Sequence, residues 1–407
     1  MTRLREQVEA EAAAARDAVG ALDDAAVARA LDRAAELVQG RRAAIAAANA
    51  SDVAAAEGTL DDGALDRLRL DDARIGALSE QLSTLAQLPP LEREEAAWTL
   101  DNGLRVETRR IPVGAVGANF EARPNVAVDV AGQLLKSLNA AVLRTGGAAL
   151  GTVTVLVDEV LRPALAEAGL PPAAVGVVRS PEREGARILV SLPRVLPLVI
   201  LRGSGETTAA LAEEAARHGV RTLAHAEGGG VLYVHDAADP AKAEALVEAS
   251  LDRLGVCNRL NLLLVSGETQ RARLRGVLDR LGIEDREPPR VGHEWANDPD
   301  PAKVASVTVR LVGSLDDALA LANDETSGLA ASIVTEDEAA ARRFLDGYRG
   351  TAAFWNATTR FTDGFALTGS PETGINVDRV PGPRGPVTYR DLWLRQFRVV
   401  GDGYEHR

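Results

Sequence analysis

The sequence predicts an α/β fold organised around parallel sheets, and three observations predict it. Residues 1–95 read as helices, because Ala, Leu, Glu and Arg dominate and apolar residues recur at helical spacing over 25–37 and 64–88. From Ile111 short apolar strands alternate with helical stretches, the βαβ rhythm of a parallel sheet. No internal repeat or low-complexity linker interrupts the 407 residues, so the two or three domains expected at that length are interleaved.

Taken in order, Pro89-Pro90 closes the helical region. Two alternating runs between Trp98 and Thr108 flank Asn102-Gly103. That pair predicts a hairpin with a two-residue type I′ turn, in which both central residues take positive φ. A first α/β block follows, with strands at 113–117, 140–143, 174–178 and 196–201. Helices at 126–136, 153–168, near 182–192 and at 207–218 separate them, and strands at 221–223 and 231–234 end the block. The second block alternates helices at 240–254, 270–281, 314–322 and 338–348 with strands at 261–265, 306–312, 330–334 and 352–355. The tail carries a late strand through Tyr389, Leu392, Leu394, Phe397 and Val399.

Composition is 46% apolar and 26% charged, ordinary for a soluble globular protein. A net charge of −13 argues against nucleic acid or an anionic membrane as the main partner, while leaving room for a local basic pocket. The first residues lead into acidic, alanine-rich helix rather than a signal segment. No apolar run approaches the ~20 residues that a membrane span needs. With a single thiol, these features predict a cytoplasmic protein. Lysine occurs only at 136, 242 and 303, which fits the codon bias of a GC-rich genome and makes Lys136 worth inspecting.

Cys257 is the only cysteine and lies in Gly255-Val256-Cys257-Asn258, ahead of an apolar strand. It cannot form an internal disulfide and is too little for a metal cluster, so no metal site is expected. It is either a packed core residue or a nucleophile. Two glycine loops follow strands, at Arg144-Thr145-Gly146-Gly147 and at Arg202-Gly203-Ser204-Gly205-Glu206, and the second opens a helix. A strand, a glycine turn and a helix N-terminus together present bare amides to a phosphate. Neither loop is a Walker A motif or a full G-x-G-x-x-G; taken alone each reads as a plain turn rather than a phosphate site, and two in one α/β block strengthen the phosphate reading.

Pro112-Val113-Gly114-Ala115-Val116-Gly117, Phe120-Glu121-Ala122-Arg123-Pro124-Asn125-Val126, Val128-Asp129 and the run from Leu135 to Arg144 closely resemble γ-glutamyl phosphate reductases. These are the glutamate-5-semialdehyde dehydrogenases of proline biosynthesis, a branch of the aldehyde dehydrogenase superfamily. Further matches continue in the same order: His225-Ala226-Glu227-Gly228, Val256-Cys257-Asn258, Asn356-Ala357-Thr358-Thr359-Arg360-Phe361, Glu372-Thr373-Gly374-Ile375 and Arg384-Gly385-Pro386. The resemblance covers nearly the whole chain.

The resemblance implies an aldehyde dehydrogenase-like α/β fold, with two Rossmann-like domains and a small β oligomerisation element. On it, residues 1–235 form the cofactor-binding domain, with the oligomerisation hairpin near 97–110. Residues 236–365 form the catalytic domain, and 366–407 return to the first domain and supply an oligomerisation strand. It implies a homodimer or homotetramer, NADPH as cofactor, an acyl phosphate or semialdehyde as substrate, and an acyl kinase as a possible partner. Lys136 and Arg144 would meet the adenosine side of the cofactor, and Gly203, Ser204 and Gly205 its pyrophosphate. The Cys257 thiolate would attack the acyl phosphate carbonyl, with the Asn125 side-chain amide and the Cys257 N–H receiving the oxyanion. One such donor is worth roughly 2.7–4 kcal/mol. A free cysteine has a pKa of about 8.5, so attack at neutral pH calls for a positive surrounding. Arg123, His225, Glu227, Asn258 and Arg360 become substrate-binding candidates; a turn, loop or ion-pair role is the competing reading for each.

The chain also departs from the family pattern. Arg202-Gly203-Ser204-Gly205-Glu206 differs from the usual second loop, and Leu260-Asn261 replaces the Glu-Thr that normally follows Cys-Asn. Gly230-Val231 stands where Cys-His is usual, and Ser327-Gly328-Leu329 and Pro381-Gly382-Pro383-Arg384 lack the usual histidines. The nucleophile and the asparagine are kept. Three readings follow: the reductase of glutamate 5-phosphate, a paralogue acting on another acyl phosphate or aldehyde, and a non-catalytic nucleotide-binding relative.

Overall fold

The computed structural model describes residues 2–60, 62–203, 205–225, 228–252, 256–286, 305–378, 382–401 and 403. The His225 side chain, Ser204 and Glu227 lie outside the described set. The chain divides into two compact units. One comprises Met1–Ala224, Ser370–Gly374 and Val387–Arg407; the other comprises His225–Gly369 and Ile375–Pro386. The sequence reading ended the first domain at 235. The strand Gly230–Val234 instead pairs inside the second unit's sheet, which moves the division to Ala224.

The first unit begins with helices α1 (Thr2–Ala18), α2 (Asp24–Gly40), α3 (Arg42–Ala56), α4 (Asp62–Leu68) and α5 (Asp72–Gln87). Asp23 and Asp71 cap α2 and α5 by accepting the N–H of Ala26 and Arg74, which pairs a helix-end donor in each. On α2 the buried positions Val27, Ala30, Leu31, Ala34 and Val38 form one stripe. It packs on α5, whose stripe is Ile75, Leu78, Leu82 and Leu85. Truncating one of these leucines to alanine costs about 2–5 kcal/mol.

A hairpin follows, β1 (Glu94–Thr99) against β2 (Arg105–Pro112). Its turn differs from the expected type I′. Leu100 N–H bonds to Leu104 C=O at 2.8 Å and Gly103 N–H to Leu100 C=O at 2.9 Å, and within the turn only Gly103 has positive φ. This is a three-residue loop closed by a left-handed glycine, so Asn102 needs no positive φ.

The core sheet of this unit has the order β5-β4-β3-β6-β7. Its strands are β3 (Ala115–Phe120), β4 (Ala140–Thr145), β5 (Val175–Val177), β6 (Leu198–Arg202) and β7 (Arg221–His225). β3 runs parallel to both β4 and β6. The central strands β3 and β4 are buried along their whole length, on both faces, as a helix-covered parallel sheet requires. Helix α6 (Asn125–Lys136) links β3 to β4. A Cβ on Gly132 would lie 2.8 Å from Leu85 Cδ1, so the glycine lets α6 press onto α5. The expected helix at 153–168 is split into α7 (Leu150–Val155), a π-helical segment (Leu156–Leu161) and α8 (Arg162–Glu167). Pro163 explains the break, since it offers no N–H to the preceding turn. Helices α9 (Glu184–Leu189) and α10 (Gly205–His218) flank β6 in sequence.

The second unit holds the sheet β10-β11-β9-β8-β12-β13, in which each neighbouring pair is parallel. The strands are β8 (Gly230–Val234), β9 (Leu260–Val265), β10 (Glu284–Arg286), β11 (Ser306–Leu311), β12 (Ala330–Val334) and β13 (Ala352–Trp355). Its helices include α11 (Pro240–Ser250), α12 (Glu268–Leu281), α13 (Leu315–Asp324) and α14 (Glu338–Gly347). Separate apolar clusters around Leu232, Val247 and Leu263 and around Tyr233, Phe344 and Ile333 form its core. Two three-residue strands, β14 (Gly374–Asn376) and β15 (Gly385–Val387), pair with each other. The last strand, β16 (Trp393–Val400), belongs to the first unit and pairs antiparallel with β2 along its full length. Among the described residues no helix is long and apolar enough to cross a membrane.

Candidate active site

In the first unit, β3 is the strand from which the order reverses: the chain proceeds to β4 on one side and later fills β6 on the other. At such a switch point the loops leaving the carboxyl ends of adjacent strands diverge and open a crevice. The loops here are 121–124 after β3 and 203–204 after β6. Ala122 takes φ +43°, a conformation uncommon for a residue with a Cβ, and Pro124 fixes the entry to α6 at φ −62°. That turn places Asn125 as the first residue of α6. Arg123 sits in the same turn, its carbonyl accepting the Val126 N–H at 3.1 Å.

Asn125 Nδ2 donates to Asp129 Oδ2 at 3.0 Å, one helical turn on. Asp129 is 7% exposed, and among the described residues its Oδ1 has no hydrogen-bond partner. Burial pushes its pKa up to about 7, against the opposing pull of the Arg202 charge and the Asn125 bond. Arg202, at the end of β6, donates through Nη1 to Thr373 C=O at 3.1 Å.

Gly203 lies against the side chains of Glu121 and Thr208. A Cβ there would stand 3.3 Å from the Glu121 carboxylate and 3.4 Å from Thr208 Oγ1. Gly205 then opens the 14-residue α10, whose first amides have no intrahelical partner. A cleft of about 340 Å³ is lined by Arg187 of α9 and by Ala210, Leu211, Glu214 and Arg217 of α10. The glycines and the helix N-terminus fit a phosphate, whereas the cleft lies along the later turns of α10, where Arg217 pairs with Glu213 and Glu214.

Two expected cofactor residues are placed otherwise. Lys136 is at the far end of α6 from Asn125, 3% exposed, with Nζ donating to Leu88 C=O at 2.6 Å and Ala86 C=O at 3.3 Å. It caps the carbonyl end of α5, and burial lowers its pKa. Lys136 is therefore corrected from a cofactor contact to a helix-capping residue. Arg144, at the end of β4, is 4% exposed. Its Nη1 donates to Asn119 Oδ1 at 3.1 Å and its Nη2 to Glu182 C=O at 2.8 Å and Pro181 C=O at 3.3 Å. Those bonds tie β4 to the 181–182 segment, so Arg144 is neither an open phosphate fork nor a surface salt bridge.

In the second unit, Cys257 is half-buried on the loop before β9. Its side chain packs against a small cluster containing Leu329, Ala330, Ile375 and Phe354. Three glycines press on this loop. A Cβ on Gly228 would lie 2.7 Å from both the Cα and the carbonyl oxygen of Cys257. Gly229 N–H bonds to that carbonyl at 2.5 Å, and Gly230 N–H to Arg259 C=O at 2.7 Å.

Asn258 fastens the other side of the loop. Its Nδ2 donates to Arg360 C=O at 2.9 Å and Thr362 C=O at 3.1 Å. Its Oδ1 accepts the Arg360 guanidinium, and its carbonyl accepts Thr359 Oγ1 at 2.9 Å. Arg360 Nε also binds Asp252 at 2.8 Å. Asn258 is 5% exposed with its amide fully engaged, so it is corrected from substrate contact to a brace of the nucleophile loop. The Arg360 guanidinium is held in the same network. Arg259 is 1% exposed and donates to Ser306 C=O at 3.1 Å. Burial lowers its pKa to about 10.

Asp129, Gly228, Asp252 and Thr359 were not singled out as site residues from the sequence. Asp129 had a readable signal, as a lone carboxylate inside the apolar helix Val126-Ala127-Val128-Asp129-Val130.

The model of the aldehyde dehydrogenase family matches residues 3–285 and 304–385. A γ-glutamyl phosphate reductase of Erythrobacter litoralis is 34% identical over 408 residues, covering 96% of this chain and 95% of that protein. The crystal structure of γ-glutamyl phosphate reductase from Thermotoga maritima superposes with a TM-score of 0.88 at 28% identity, covering 98% of this chain and 100% of that one. An acetylating aldehyde dehydrogenase from Geobacillus thermoglucosidasius matches with a TM-score of 0.72, and at 15% identity that likeness carries the fold alone. The chain belongs to the aldehyde dehydrogenase family and, within it, to the γ-glutamyl phosphate reductases.

Proposed function

We propose that this enzyme reduces L-glutamate 5-phosphate to glutamate 5-semialdehyde and phosphate, with NADPH as reductant and a thioester on Cys257. The observation that carries the reading is the sole cysteine of the chain, half-buried on a loop held by Gly228, Gly229 and Asn258, in a protein that matches such reductases over nearly its whole length.

Cys257 Sγ, as thiolate, attacks the acyl carbonyl and forms the carbon–sulfur bond. The side-chain amide of Asn125 and the backbone N–H of Cys257 donate to the oxyanion of the tetrahedral intermediate, a contribution of roughly 2.7–4 kcal/mol for each donor. Collapse breaks the carbon–oxygen bond to phosphate, which departs as a stable anion without a protein acid. A nicotinamide nucleotide held in the first unit would supply the hydride that the thioester needs to leave as the aldehyde. Release of the aldehyde returns the sulfur as thiolate. The fixed backbone of the 257–259 loop keeps the sulfur and its own N–H in one geometry through these steps, which is where positioning lowers the barrier.

The nicotinamide nucleotide is the first unit's ligand. Gly203, Gly205 and the amides at the start of α10 would receive its pyrophosphate. Arg123, in the turn before Asn125, is the substrate-binding residue the fold keeps beside the oxyanion donor. Acyl phosphates hydrolyse readily, so a phosphoryl-transfer enzyme, an acyl kinase, must supply the substrate. Self-association runs through the β1-β2-β16 sheet, where Trp98, Leu394, Phe397 and Val399 are exposed.

The test is the reverse reaction, with glutamate 5-semialdehyde, inorganic phosphate and NADP⁺, followed by the absorbance of reduced nicotinamide. Phosphate-dependent turnover lost in Cys257→Ala is expected. No turnover with the semialdehyde, but turnover with another aldehyde, would sink the substrate assignment.

A further inference from the structure

We propose that Asp129 is the positioning residue for Asn125, holding its side-chain amide in the orientation that serves the oxyanion. The inference rests on the reading of Asn125 as an oxyanion donor. An amide has two ends of nearly equal shape, and only the nitrogen end can donate. Left alone, the Asn125 side chain can turn either end outward. Above the Asp129 pKa of about 7 the carboxylate only accepts, and the 3.0 Å bond from Nδ2 then removes that choice. It places the nitrogen by one of its two hydrogens and leaves the second to donate elsewhere.

The surroundings argue that this bond is the reason for the carboxylate. Asp129 is buried in a helix whose neighbouring side chains are Val126, Val128 and Val130, where an uncompensated charge is costly. A group serving packing alone would be better apolar. Oδ1 remains without a partner, so the carboxylate is not explained by a complete structural network. What the fold does supply is one bond, to Asn125, and one favourable charge, from Arg202 at the end of the adjacent strand β6. Arg202 is anchored in turn on Thr373 C=O. The three residues thus form a chain across the switch-point loops, from β6 to the first turn of α6.

The experiment uses a pair of near-isosteric variants, Asp129→Asn and Asp129→Leu, each made in the wild-type and Asn125→Ala backgrounds. The readouts are kcat and KM for semialdehyde oxidation with NADP⁺ and phosphate, with melting curves to establish folding. Asp129→Asn keeps an accepting oxygen but adds an NH2 that can donate to the oxygen end of the Asn125 amide, so it should lower kcat by about 3-fold or more. Asp129→Leu keeps the volume but not the acceptor and should lower kcat about 10-fold or more, with little change in KM. On the Asn125→Ala background, Asp129→Leu should cost less than about 2-fold, because its target is gone. An equal loss in both backgrounds, or full kcat in Asp129→Leu, overturns the proposal. If Asn125→Ala itself leaves kcat unchanged, the oxyanion role fails and the proposal fails with it, a result distinguishable from the first two. Should Asp129→Leu not fold, Asp129→Asn decides: wild-type kcat in that folded variant contradicts the proposal.

Discussion

Asn258 and Arg360 are tied in both directions. The asparagine amide donates to the Arg360 carbonyl at 2.9 Å, and its own oxygen accepts the Arg360 guanidinium. The residue that follows the cysteine is thereby joined to a loop about a hundred positions further on. Asn258→Ala leaves a guanidinium and two carbonyls short of a partner, and each buried group so stranded costs about 1–3 kcal/mol. The expected outcome is a lower kcat with unchanged KM for the semialdehyde, together with a lower melting temperature. A residue that binds substrate would instead raise KM. Because Cys257 is the only cysteine, the rate of its alkylation by iodoacetamide reports the same loop directly and should change in this variant.

Gly228 faces the nucleophile from the opposite side. An alanine there would put its Cβ 2.7 Å from Cys257 Cα, against backbone that has no flexible end to yield. Gly228→Ala should lower kcat by about 100-fold, the scale on which a small misplacement of a reacting group is felt. Kinetics and mass-monitored alkylation of Cys257 check it. Wild-type rates for both would show that the loop relaxes freely.

Lys136→Met removes a cation from the carbonyl end of α5. The loss expected is about 1.5–3 kcal/mol of unfolding free energy, since the bond lost is charge-assisted. Affinity for the nicotinamide nucleotide should stay within about 2-fold. A large loss of cofactor affinity in a folded Lys136→Met protein would restore the sequence-based assignment.

Much of this was legible in the sequence, and the failures share a cause. Strand and helix order followed from apolar periodicity; Asn125 was proposed from the family resemblance, and Gly203 and Gly205 because a strand–turn–helix junction has local signals. The direction in which a long side chain runs has none. Lys136 and Arg144 carry the right charge for a phosphate, yet both point into protein, one to carbonyls of α5 and the other to carbonyls at 181 and 182. Asn258 was placed correctly beside the cysteine, but its partners lie at 360 and 362, which local spacing cannot reveal. The hairpin was read correctly and its turn was not, because Asn-Gly serves two-residue and three-residue loops alike.

Asp129 predicts a pH dependence. Its folded pKa is about 7, against about 3.9 for an unperturbed aspartate. The folded state therefore holds the proton more tightly than the unfolded chain does. The stability this group contributes is fully present below about pH 4 and is lost as pH rises to about 7, by up to about 4 kcal/mol. Asp129→Asn removes that loss. Its stability relative to wild type should increase between pH 5 and pH 8 in paired denaturation curves, whereas a constant difference would place the native pKa near the ordinary value.

The central claim is that Cys257 carries the acyl group. Mixing the enzyme with glutamate 5-semialdehyde and NADP⁺ in the absence of phosphate should give a burst of about one reduced nicotinamide per active chain. Peptide mass analysis of the quenched protein should then find a γ-glutamyl group on the peptide containing Cys257, discharged on adding phosphate. A burst without modification of Cys257, or an equal burst in Cys257→Ala, would contradict the account.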